Sequence, residues 1–325
     1  MNHTPRRHRA VLAVVLALVA ALAGCSTPKP TPAVIGLTYI PNIQFAPFYV
    51  ADHQGFAAPV PVSLRHHGVS EGLFTALAAG DEQFVVAGGD EILQARTQGV
   101  DVVAVASYYA AYPARLIVPA GSAITDVAGL KGHSVGIPGR FGENWFALLI
   151  ALREAGLTES DVTITEIGYT QQAALTTGQV DAVVGFANSD VIAFREAGVG
   201  VESYDLGVPL VSICLATTGT YAAAHPDVVR AVVAAMRTGM TTAANDPAGT
   251  LDIAATYIPA FTGATRTTAE QVLPATTALF TKAGVLSPPF DPAQWAAMAQ
   301  AMGAAGLIPA GTDPAPAYSN AYNGA

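Results

Sequence analysis

Cysteine is nearly missing: Cys25 and Cys214 are the only two among 325 residues, which excludes a disulfide scaffold and any C-x-x-C redox or zinc site. Charge is sparse too, at 12% of residues, with fifteen Lys and Arg against twenty-four Asp and Glu. Three of the bases, Arg6, Arg7 and Arg9, sit in the first ten residues, so the rest of the chain carries twelve against twenty-four, a net charge of −12. Such a balance disfavours nucleic acid and other polyanions as partners. Catalytic signatures are lacking as well: there is no H-E-x-x-H, nucleophile elbow, phosphate loop or G-x-G-x-x-G. The histidines beyond Cys25 are His53, His66, His67, His133 and His225. His66 and His67 are neighbours on an expected strand and would point to opposite faces, which argues against a metal pair. Ser70 has no evident base. These absences favour binding over catalysis, with no metal and no cofactor expected.

What is present begins with the leader. A basic stretch, MNHTPRRHRA, precedes the apolar run Ala10 to Gly24, which is shorter than the roughly 20 residues of a membrane-crossing helix. It ends at Leu22-Ala23-Gly24-Cys25 and gives way to the polar STPKPTP. This resembles the lipobox of bacterial lipoproteins, which implies a signal peptide over 1–24, lipid on Cys25, and a flexible tether over 25–32. An uncleaved anchor helix with an incidental cysteine is the alternative, and either way the chain is held at a membrane. With Cys25 lipidated, Cys214 in VPLVSICLA reads as a buried small hydrophobe. About 300 residues bury roughly three quarters of their unfolded surface, enough for a core without cross-links.

Strands then alternate with helices. Strands are expected at Ala33–Tyr39, Val60–His66, Gln83–Gly88 and Val100–Ser107, with helices at Phe45–Gln54, Gly72–Ala79 and Glu91–Gln98 between them. The alternation restarts after Pro119, with strands at His133–Ile137, Val162–Ile167, Val180–Phe186 and Gly200–Ser203. From about Tyr221 the chain is helical, its first helix opening on Pro226 and apolar along Val228, Val229, Val232 and Met236. The pattern predicts two α/β units with parallel sheets covered on both faces, followed by a helical tail. Ligands bind between such units, in the loops after the strands.

Those loops combine rings with amides and carboxyls. The first, YIPNIQFAPFY, contains Asn42, which can cap the next helix or also touch a ligand, and Phe45. The third strand ends in Gly88-Gly89-Asp90-Glu91, where Asp90 is placed to cap and to accept from a donor in the cleft. Tyr109 lies in the phenol-rich YYAAYP after the fourth strand. PGRFGENWF follows the first strand of the second unit: Gly142 brings backbone N–H groups to a helix start, and Phe141 and Trp145, four apart, share a face if the helix has begun. Trp145 can be a wall of the cleft or ordinary core. Asn188 and Asp190 follow a later strand. Flat rings with a few hydrogen-bonding groups suit a small planar heteroaromatic ligand.

Four stretches, GLTYIPNIQFAPFYVADHQGF, LAAGDEQFVVAGGDEILQARTQGVDVVAVASYY, DVAGLKGHSVGIPGRFGENW and IGYTQQAALTTGQVDAVVGFANSD, together resemble the substrate-binding lipoproteins of ABC importers in the NMT1/THI5-like group. The likeness runs from Ile35 to about Ala255. It implies a two-lobed type II periplasmic-binding-protein fold of parallel-rich α/β sheets with helices on both faces, its cleft between the lobes. Lobe 1 is then expected over 33–117, lobe 2 over 118–208, and a return to lobe 1 with the helical segment over 209–325, with crossings near Leu116–Ala120 and Leu206–Ser212. The implied partners are an ABC permease with its cytoplasmic ATPase, at the extracytoplasmic face of the cell membrane, and the implied state is a monomer. Group members look like receptors for thiamine pyrimidine precursors, riboflavin, or sulfonates. The aromatic loops look more like sites for flat vitamins or their precursors than like sulfonate sites; a pyrimidine precursor is the expected ligand, with riboflavin, which would use the larger aromatic set of Tyr109, Phe141 and Trp145, and a sulfonate as alternatives. Fungal enzymes that make the thiamine pyrimidine also share this sequence run, but their cysteine- and histidine-rich features are lacking here.

Overall fold

The computed structural model describes residues 32–68 and 71–323. The leader, Cys25 and all of the expected tether except Pro32 lie outside the described residues, as does Ser70. The chain starts with β1 (Ala33–Leu37), α1 (Ala46–Gln54), β2 (Val62–His66), α2 (Thr75–Ala79), β3 (Phe84–Gly88), α3 (Gly89–Thr97) and β4 (Val103–Ser107). β1 pairs in parallel with β2 and β3, Ile35 lying opposite Leu64 on one side and Phe84 on the other. Every residue of β3 and β4 is buried, as expected of strands covered on both faces. Edge strand β2 instead exposes Ser63 and Arg65 on its outer face.

A second sheet follows, from β5 (Ala114–Pro119), β6 (Ser134–Ile137), α4 (Gly142–Glu154), β7 (Thr163–Glu166), α5 (Gln171–Thr176), β8 (Ala182–Phe186), α6 (Asp190–Glu196) and β9 (Val201–Asp205). The chain then returns as β10 (Ile213–Thr217) between β3 and β4, antiparallel to both. The sheet orders are β2-β1-β3-β10-β4 and β7-β6-β8-β5-β9. Each five-stranded sheet is thus parallel except for one strand, because β5 runs antiparallel to β8 and β9. Both odd strands enter directly from the other lobe rather than over a helical crossover, so nothing obliges them to run parallel. Neither is signalled by strand–helix alternation, and both are missing from the sequence-based assignment.

The chain crosses between sheets at Tyr108–Pro113 and at Leu206–Ser212. The first crossing comes before the expected Leu116–Ala120, since Ala114–Pro119 is hydrogen-bonded on both edges within the second sheet. Lobe 2 accordingly starts at Ala114 and not at residue 118. Cys214 of β10 lies opposite Ala87 and Ser107, fully buried.

The tail continues as α7 (Gly219–Ala224), α8 (Pro226–Asn245), α9 (Pro247–Ala254), α10 (Ala264–Thr277), the hairpin β11 (Thr281–Lys282) and β12 (Val285–Leu286), and α11 (Pro292–Ala304). It is part of lobe 1 and not a separate extension. α8 buries Val228, Val229, Val232, Val233, Met236 and Met240 along one stripe, each such side chain contributing about 1.5–3 kcal/mol. The stripe lies on α1 at such close range that a methyl group on Gly239 would sit 2.0 Å from the Pro47 carbonyl oxygen. α11 covers the seam on the other side, where one apolar cluster joins Val85 and Ala87 of lobe 1, Leu116 and Val135 of lobe 2, Phe146 and Leu148 of α4, and Met298 of α11. The lobes therefore share a core behind the cleft.

Candidate ligand-binding cleft

A cavity of about 750 Å³ lies between the lobes, reached by the loops after strands of both sheets and roofed by α10. Its first wall comes from the turn after β1. Asn42 Oδ1 accepts from Gln44 N at 2.8 Å and its Nδ2 donates to Ile40 O at 3.2 Å, so the amide is occupied in shaping the turn while the residue lines the cavity. The capping alternative accounts for its side chain. Phe45, also a lining residue, is buried with its ring edge-on to His66. Tyr108 fixes the turn by donating to Gln44 O at 2.6 Å, and Tyr109 stacks on Tyr108 with centroids 4.9 Å apart. Both residues line the cavity.

Asp90 is fully buried but does not line the cavity. The Tyr112 hydroxyl stands 2.7 Å from its Oδ2 and 3.0 Å from the Glu143 carbonyl oxygen, between α3 of one lobe and α4 of the other. The residue that reaches the cavity is its neighbour Glu91, whose Oε2 accepts from Gly88 N at 2.9 Å. Burial pushes the Asp90 carboxyl up to about 6, opposed by the Tyr112 hydroxyl. Burial together with the charge of Asp90 pushes Glu91 up to about 8.

In lobe 2, Gly142 lines the cavity with φ +68, the left-handed region that favours glycine. Phe141 precedes the helix in extended conformation, 58% exposed at the cleft rim. The helix begins only at Gly142, so Phe141 and Trp145 do not share a helical face. Trp145 is buried in the shared core, with the Arg140 guanidinium 4.8 Å from its ring centroid, and it is not among the cavity residues. Of its two sequence readings, the core one describes its position.

Asp190 lines the cavity and accepts from Phe186 N at 2.6 Å; burial pushes its carboxyl up to about 6. Asn188 is buried outside the cavity lining, donating to Thr276 Oγ1 at 3.0 Å and directed at the Tyr109 hydroxyl at 3.5 Å. It ties lobe 2 to α10 and to the crossing segment. Of the nine residues singled out by sequence, Asn42, Phe45, Tyr109, Phe141, Gly142 and Asp190 meet at the cavity, whereas Asp90, Trp145 and Asn188 stand behind it.

Other lining groups were not singled out. Tyr39 and Tyr169, from opposite lobes, meet at the mouth with centroids 5.6 Å apart. Glu91 and Glu143 directly follow residues that were selected. α10 supplies Ala264, Thr265, Thr268, Ala269 and Val272, and its Thr268 hydroxyl donates to Glu196 Oε2 of lobe 2 at 2.6 Å. Nothing in ATRTTAEQV marks a ligand wall; its role depends on where the tail is packed. Among the described lining residues there are three acids, Glu91, Glu143 and Asp190, and no Lys, Arg or His.

The sequence pattern of the NMT1/THI5-like family matches residues 42–250, about two thirds of the chain. The chain belongs to this family. It is a solute-binding protein of the ABC-importer type, with the fold and family of non-catalytic periplasmic binding proteins. It is 31% identical over 275 residues to the riboflavin-binding protein RibY of Chloroflexus aurantiacus, covering 77% of this chain and 78% of that one. The fold is shared with the alkanesulfonate-binding protein SsuA of Xanthomonas axonopodis pv. citri bound to MOPS, at 22% identity and TM-score 0.67, over 90% of this chain and 99% of that one. It is also shared with the aliphatic sulphonate-binding protein SsuA of Escherichia coli, at 19% identity and TM-score 0.71, over 89% and 92%.

Proposed function

We propose that this family member is a receptor for riboflavin, or a flavin of its size, which it presents to an ABC permease at the extracytoplasmic face of a membrane, held there by lipid on Cys25. The observation that carries the reading is the cavity itself: about 750 Å³, walled by Tyr39, Phe45, Tyr108, Tyr109, Phe141 and Tyr169, with acids and no base among its described lining residues. A sulfonate is an anion at every physiological pH. It needs cationic or concentrated N–H donors, and the described lining residues supply no cation to it. A flat, uncharged ring system suits the aromatic walls, and donors on its edge and on a polyol side chain suit Glu91, Asn144, Gln171 and Asp190. Size separates the remaining candidates. A single pyrimidine ring would leave much of the cavity unfilled, whereas a tricyclic ring with a chain fills a site of this class. The likeness to a riboflavin-binding protein over three quarters of the chain supports the same choice. The reading replaces the pyrimidine precursor expected from sequence with what was there its alternative.

The test is a fluorescence titration of riboflavin with the purified full-length chain, followed by competition with an aminopyrimidine and an alkanesulfonate. Stoichiometric quenching that neither competitor reverses is expected. Displacement of riboflavin by the sulfonate at equal concentration, or binding of the aminopyrimidine alone, would refute the assignment.

A further inference from the structure

Three carboxyl side chains converge where α3 and α4 start. A methyl group built on Gly88 would lie 2.4 Å from Asp90 Oδ1, 3.1 Å from Glu91 Oε2 and 3.2 Å from Glu143 Cγ. Asp90 and Glu91 have protein donors, Tyr112 and Gly88 N–H respectively. Glu143 is different. It is 9% exposed, lines the cavity, and its Oε1 is buried with no hydrogen-bond partner. The adjacent Asn144 also lines the cavity, and its Oδ1 is likewise buried and unpartnered. Arg140, the nearest base along the chain, is engaged with Glu159, Glu166 and the Trp145 ring.

Three carboxyls at such range cannot all carry charge, and an orphaned buried polar atom costs free energy until something pairs with it. We propose that Glu143 meets the ligand as a neutral carboxyl, donating one hydrogen bond and accepting another along a lactam- or imide-like edge, with Asn144 Oδ1 accepting from a ligand hydroxyl. This rests on the flavin reading, whose ring carries such an edge. A carboxyl and a cis-amide edge match as two parallel hydrogen bonds, a pairing that neither an ionised carboxylate nor a sulfonate can form. Burial, then the charges of Asp90 and Glu91, hold the Glu143 carboxyl well above the usual carboxylate range, consistent with a neutral group at physiological pH. Glu91 stands in lobe 1 and Glu143 in lobe 2, so a ligand paired with Glu143 is read at the junction where the lobes meet.

The experiment compares riboflavin with riboflavin methylated at the imide nitrogen, on the wild-type full-length chain and on Glu143→Gln and Glu143→Ala. Wild type is expected to prefer the parent ligand by about tenfold or more, the scale of a buried hydrogen bond left unmade. The glutamine amide also offers a donor and an acceptor, so Glu143→Gln should keep that preference, and Glu143→Ala should lose most of it. Equal binding of the two ligands by wild type overturns the proposal without any variant having to fold. Undiminished preference in Glu143→Ala, or its loss in Glu143→Gln with an unchanged melting temperature, overturns the role of Glu143 and leaves the flavin reading intact. No binding of riboflavin by wild type overturns both.

Discussion

Replacing Gly142 by alanine separates two effects that the structure superimposes at one atom. Gly142 has φ +68, and an added methyl would approach Glu91 Oε1 of the opposite lobe to 3.1 Å. The left-handed backbone costs a non-glycine residue about 1–2 kcal/mol. That cost is local to lobe 2 and should appear as a fall in melting temperature of about 2–8 °C, at roughly 2–4 °C per kcal/mol for a large domain. The methyl–carboxyl contact exists only when the lobes are together. Glu91 Oε2 is held by Gly88 N at 2.9 Å, so Oε1 is not free to swing away. A few tenths of an ångström must be found by separating the lobes, and a penalty of about 1 kcal/mol there weakens ligand binding about fivefold. Gly156→Ala provides the control, with φ +72 and no atom within 4 Å of its added methyl. Melting curves and flavin titrations on both variants are the assay. Both should lose stability, and only Gly142→Ala should lose affinity. Unchanged affinity in Gly142→Ala would refute the idea that ligand is held by closure across the Gly142–Glu91 contact.

Tyr169→Ala removes one ring of the pair at the cleft mouth, and stopped-flow release should quicken by about two- to tenfold, from the 0.5–1.5 kcal/mol of an aromatic contact. Trp145→Ala should lower stability by about 3–5 kcal/mol, because the ring fills the shared core; under conditions where the variant is folded, its affinity should stay near wild type. Asp90 and Glu91 are raised in the folded state, to about 6 and about 8. Folding binds their protons, so their contribution is complete below the unfolded carboxylate range and is lost as pH rises through those values. The melting temperature should therefore decline from about pH 5 to pH 8, and Glu91→Gln should make the upper part of that decline shallower.

Much of the architecture is written locally. Apolar runs such as Phe84–Gly88, stopped by glycine and followed by an amphipathic helix, identify most strands of both sheets, and Pro226 with the stripe from Val228 to Met236 identifies α8. The loops after those strands also carry the cavity aromatics, because a parallel sheet brings its strand ends to one edge wherever the chain is wound that way. Residues were misplaced where a role depends on a partner distant in sequence. Asn188 reads as a strand-end ligand contact, yet its amide meets Thr276, 88 residues on. Trp145 reads as cleft wall or core, and the choice falls to the helix, which starts at Gly142 and turns the ring into the core.

The cleft's chemistry divides in the same way. Sequence by itself determined that the loops after the strands carry aromatic rings, amides and carboxyls, since these are properties of the loops as strings. Only the tertiary structure decided that β5 and β10 run against their sheets, that α10 roofs the cavity, and that Asp90, Glu91 and Glu143 converge from two lobes. Those outcomes follow from the chain crossing twice between lobes and packing its tail back over the first, and pairing and burial between segments about fifty or more residues apart leave no trace in local periodicity.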